Sequence, residues 1–204
     1  MAGTLPHAVF VETGIDDAGR SMAFAGELPG CAAVGEDASA AVARIPARVA
    51  AFVAWLQASG ERLDEPIGNW YEVERAGATP APDGGLHRAV FSLDELPPSA
   101  DEFDTWLRWA ELAREELAGA LDDEPAAADR LAWLPAQDAA LAVELGSDLT
   151  PATDGSGALD RIYDARDTLT TALIAAGPAG AGVRRALRLA IADDLRAVEL
   201  ITHR

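Results

Sequence analysis

The turn Leu28-Pro29-Gly30 is the tightest local constraint in this chain. Proline fixes its own φ near −65°, and glycine reaches backbone conformations that other residues avoid, so the pair suits a reversal between two strands. Ser21–Ala25 before it and Cys31–Val34 after it read as those strands. An earlier run, His7 to Glu12, reads as a first strand, and Gly14 to Gly19 holds turn formers suited to a hairpin loop. After the third strand Asp37 offers an N-cap. Val42, Ile45, Val49, Phe52, Val53 and Leu56 then recur at three- and four-residue steps, giving a helix with one apolar stripe that packs on a sheet and ends near Gly60.

The strand–strand–strand–helix order, with Glu27-Leu28-Pro29-Gly30-Cys31 at the turn and a helix beginning shortly after Gly35, resembles the HicB-like family. The resemblance covers about residues 6–60. It implies an antitoxin-type domain with a partial RNase H-like fold, in general without nuclease function. Antitoxins of this type often add a DNA-binding segment behind the first domain; here an acidic helical stretch takes that place.

Beyond residue 60, Trp70 to Glu74 alternates bulky and charged groups as a half-buried strand does. Gly77 to Gly85 reads as a loop and Leu86 to Phe91 as a further strand; these segments are expected to extend or flank the sheet. Pro97-Pro98 closes the region. Ser99 and Glu102 then form the S-x-x-E pattern of a capping box before an apolar periodic run that includes Phe103, Trp106, Leu107, Ala110, Ala113 and Leu117. A second helix is expected from near Pro135 to Gly146, a third over 157–176, and a fourth over 181–202. The fold class is therefore α+β: a small sheet-plus-helix domain over 1–98, followed by an antiparallel four-helix bundle over 99–204.

The helix order, Trp133 ahead of the second bundle helix and the Arg-rich start of the last one, Val183 to Arg188, resemble the DinB-like superfamily of four-helix bundles. Active members hold a metal through a His on the second helix and an H-x-x-x-H pair on the fourth, a spacing that puts two imidazoles one turn apart on one face. Those positions correspond here to Leu141, Asp193 and Ala197. Two of the three cannot ligate a metal, so no metal and no cofactor is expected. Asp193, Asp194 and Glu199 are read as a solvated helical face.

Other chemistry has little support. His7, His87 and His203 are far apart, with no ligand spacing. Cys31 is the one cysteine, so no intramolecular disulfide forms, and it reads as a small core residue in a cytoplasmic chain. Glu12, Asp16, Asp17 and Glu27 lie in loops and strand ends, without the pattern of a two-metal nuclease. No phosphate loop, dinucleotide fingerprint or nucleophile elbow is present. No basic start leads into a long apolar run, and no stretch approaches the roughly 20 apolar residues of a membrane span.

The 16 basic residues are all arginine, against 34 acids, for a net charge of −18. Such a surface repels phosphate backbones and anionic lipid, so non-specific nucleic-acid binding and membrane docking are not expected. Arg184, Arg185 and Arg188 stand out against that background. They sit in the first turns of a helix, where the dipole disfavours positive charge, and are the candidate anion or partner patch, with Asp167 the nearest acid on the preceding helix. The reading of function is a non-catalytic binding or interaction protein with a degenerate metal site. Its partner is an unidentified protein or small molecule, and a homodimer is one arrangement. The alternative is a DinB-like metal-dependent thiol transferase with an unusual metal site.

Overall fold

The computed structural model describes residues 7–16, 18–64, 66, 68–77, 88–148 and 157–202. It is an α+β protein that divides into two compact units, residues 1–93 and 94–204.

In the first unit, β1 (His7–Thr13), β2 (Ser21–Ala25), β3 (Ala32–Gly35) and β4 (Trp70–Gly77) form one sheet in the order β3-β2-β1-β4. β1–β2 and β2–β3 pair antiparallel, while β4 joins β1 in parallel, with a register shift between Val9 and Phe10. The expected turn is in place: the Cys31 N–H donates to the Leu28 carbonyl at 2.9 Å, and Gly30 takes φ +88°.

α1 (Ala38–Ala58) starts at Asp37, whose side chain accepts from the Ala40 N–H at 2.8 Å. Ile45, Val49, Phe52, Val53 and Leu56 are buried along it, as the periodic stripe requires. Gly35 lets this helix approach, since a Cβ there would lie 2.3 Å from the Ala41 nitrogen. One expectation is corrected. α1 is 21 residues long and holds an 18-residue window with a mean hydropathy of 1.3, long and apolar enough by length and composition to cross a membrane. Its alanines raise the average, with Arg44 and Arg48 the two charged residues in the helix, without forming a visible block of large apolar residues.

Across the sheet, Phe91 packs its ring 5.4 Å from Phe10 and 6.0 Å from Phe24. The Ala89 N–H donates to the buried Glu12 carboxylate at 2.8 Å. The segment expected as a strand over 86–91 is instead irregular from Ala89 to Phe91, with Arg88 in an isolated bridge. Leu86, His87 and most of the 77–85 loop lie outside the described residues.

The second unit holds α2 (Ala100–Asp123), a 3-10 stretch (Pro125–Leu131), α3 (Trp133–Glu144), α4 (Ala158–Ala176) and α5 (Val183–Thr202). Asp94, in a 3-10 turn over Ser92–Glu95, belongs to it through Arg188. The Ser99 capping box is formed: Ser99 Oγ accepts from the Glu102 N–H at 3.3 Å, and Glu102 accepts from the Ser99 N–H at 2.8 Å.

Side-chain contacts fix the helix directions. Arg184 of α5 donates to the Leu96 carbonyl at 2.8 Å and lies 4.6 Å from the Trp106 ring, so α5 begins where α2 begins. The far ends of both, Leu117, Leu121, Ala197 and Ile201, share one apolar cluster with Leu134 and Ile162, from the starts of α3 and α4. Thus α2 and α5 run one way, and α3 and α4 run the other.

Candidate functional site

The distinctive chemistry of the second unit lies in its core. α5 is buried on most sides, with Val183, Leu187, Ala190, Ile191 and Ala197 all in the core. Asp193 and Asp194 fall within this same helix and are buried at 1% and 0% exposure. They are not the solvated face expected from the sequence, because α5 is packed by the other three helices and leaves them no outer side. Asp138 of α3 is fully buried beside them.

The compensating charge comes from α4. Arg166, 5% exposed, places Nε 3.2 Å from Asp138 Oδ2 and donates from Nη2 to Asp194 Oδ1. Burial works against its charged form, but Asp138, Asp194 and Asp193 outweigh that, and its pKa lies above the ordinary arginine value. The carboxylates respond in the opposite sense. Burial pushes Asp138 up to about 8; Arg166 opposes the shift, and Asp194 and Asp193 add to it. Burial likewise pushes Asp194 up to about 6, opposed by Arg166 and reinforced by Asp193. Oδ1 of Asp138, Oδ2 of Asp194 and Nη1 of Arg166 are buried without a hydrogen-bond partner.

This arrangement does not fit a transition metal. Leu141 and Ala197 are core residues with no donor atom, Asp193 alone among the three matched positions carries one, and the space between Asp138 and Asp194 is spanned by a guanidinium. Among the described residues no group of three or more His, Cys, Asp or Glu side chains is placed to hold an ion.

Arg184, Arg185 and Arg188 do not make a shared cationic surface. Arg188 grips Asp94 with two hydrogen bonds, Nε to Oδ1 at 3.1 Å and Nη2 to Oδ2 at 2.7 Å, with both side chains buried. Arg185 pairs with Glu144 at the end of α3. Arg184 stacks on Trp106 and lies 3.8 Å from Glu102. Asp167, the acid expected nearest, pairs instead with Arg114 of α2. The charge at the start of α5 is met by the beginning of α2 and the end of α3, which the local sequence does not reveal.

In the first unit the candidate groups are dispersed. His7 stacks on Trp70 with ring centroids 4.7 Å apart, and its Nδ1 meets the Glu27 carboxylate. Asp16 organises the β1–β2 turn by accepting from the Ala18 and Arg20 N–H groups, each at 3.1 Å. Glu12 is committed to Ala89. Cys31 is fully buried, and burial pushes its thiol up to about 12 even with Arg48 acting the other way, so it is not a nucleophile in the folded chain. Asp17, His87 and His203 lie outside the described residues.

The Arg166 cluster is the feature that sequence reasoning missed. Its one local signal was two adjacent acids inside the apolar run Ile191–Leu195. Comparison with protein-family models, with curated proteins and with solved structures finds no match for the chain.

Proposed function

We propose that this chain is a non-catalytic binding or interaction protein, a HicB-like domain joined to a DinB-like bundle whose metal site is degenerate. The observation that carries the reading is the position of Arg166 between Asp138 and Asp194, where an internal cation stands in the bundle core and, among the described residues, no imidazole adjoins it. A single buried cysteine suits a reducing, cytoplasmic setting. The partner is a protein or small molecule whose recognition does not depend on a cationic surface. The net charge of −18 disfavours non-specific nucleic acid and anionic membrane. A homodimer is compatible with this reading.

Elemental analysis tests it, on protein purified without chelator from cells supplied with zinc and nickel. Metal far below one equivalent, with no transfer of small thiols to electrophiles, is the expected result. Stoichiometric metal together with thiol transfer would overturn the proposal in favour of a metal-dependent thiol transferase.

A further inference from the structure

Asp138 and Asp194 share one guanidinium, Arg166, in a buried core, with Asp193 beside them. If both were ionised the pair would carry one negative charge more than Arg166 offsets, and an uncompensated buried charge neutralises in preference to remaining in a low dielectric. The neighbouring elements add little. α2 contributes Arg114, which acts on the cluster but is paired with Asp167, and Glu111 beside it, which is acidic. α3 contributes Gln137, buried and neutral. Arg188 on α5 is held by Asp94. The unpartnered oxygens, Oδ1 of Asp138 and Oδ2 of Asp194, are atoms on which a proton can sit.

A small pocket of about 10 Å³ between α2, α4 and α5, lined by Ala110, Glu111, Arg114 and Thr170 among others, has Arg166 in its wall and brings the surface to the edge of the cluster.

We propose that the bundle core is a proton-binding site, in which the Asp138–Asp194 pair retains a proton in the neutral range and the packing of α3, α4 and α5 loosens as that proton leaves. Because the two carboxyls interact, the proton belongs to the pair, with Asp138 its main holder. In the unfolded chain both groups ionise near pH 4, whereas in the core Asp194 titrates at about 6 and Asp138 at about 8. The folded state therefore binds more protons than the unfolded state across that interval. The added stability is complete below about pH 4 and is lost as pH rises towards 8. Between pH 6 and 8 one extra proton makes the unfolding constant rise about tenfold per pH unit. The inference stands on the cluster itself, whatever the chain binds.

The test is urea unfolding of the full chain from pH 6 to pH 9, beside Asp138→Asn and Asp194→Asn. The wild type should lose stability with the stated slope and level off above pH 8. Asp138→Asn should be nearly flat over pH 6–8 and the more stable protein at pH 9. Infrared spectra of the wild type give a readout that needs no variant: a protonated-carboxyl C=O band present at pH 6 and gone at pH 9. A flat wild-type profile, an unchanged slope in Asp138→Asn, or absence of that band at pH 6 would each overturn the proposal.

Discussion

Arg166 is the residue on which the second unit most depends. Its guanidinium reaches acids from α3 and α5, and no other cation is bonded to either Asp138 or Asp194 among the described residues. Arg166→Met keeps the stem and removes the charge. It leaves Asp138, Asp193 and Asp194 buried together, and breaking such a buried pair costs about 3–5 kcal/mol. Chemical denaturation at pH 8 should show that loss, and a smaller one at pH 5, where the acids accept protons. A cost near zero at both values would mean that water already compensates the acids. Cys31 gives a second residue-scale prediction. Its buried thiol should resist a thiol-reactive dye in the native protein and react fully once urea unfolds it. Rapid labelling without denaturant would contradict its place in the core.

At the scale of the element, what was legible in the sequence is what is encoded locally. Asp37 starts α1 and Ser99 with Glu102 starts α2 because a cap and its N–H partners lie within three residues of each other. Ser99→Ala should therefore cost about 0.5–2 kcal/mol, read as a lower thermal midpoint. A silent substitution would show that the end of α2 is held by other contacts. The apolar stripe of α1 was equally visible, and Phe52, 2% exposed, is its largest wholly committed side chain. Phe52→Ala should cost about 3–5 kcal/mol; an unchanged denaturation midpoint would place the stripe away from the core. Helix α5 was legible as a helix and misleading as a surface. Asp193 and Asp194 look solvated until Arg166, 28 residues before Asp194 on another helix, is brought against them. Arg184, Arg185 and Arg188 look like a patch until Leu96, Glu144 and Asp94 arrive from separate parts of the chain. Partners distant in sequence leave no periodic or spacing signal, so clustered charge in the sequence does not distinguish an accessible patch from a set of buried pairs.

The whole molecule is strongly acidic, with a net charge of −18, and buries several of its charged groups, Glu12, Asp138, Arg166 and Asp194 among them. The sheet of the first unit uses Glu12 in the same manner, as a buried carboxylate bonded to the Ala89 N–H. In the second unit Arg166 takes the place between Asp138 and Asp194 that a metal ion would need. The most direct measurement is a titration of the purified chain with zinc and then nickel, followed by calorimetry and thermal melting at pH 7. No saturable heat and no shift of the melting midpoint is the predicted result. One equivalent bound with a raised midpoint, abolished by Asp138→Asn, would contradict the account and place a metal among these aspartates.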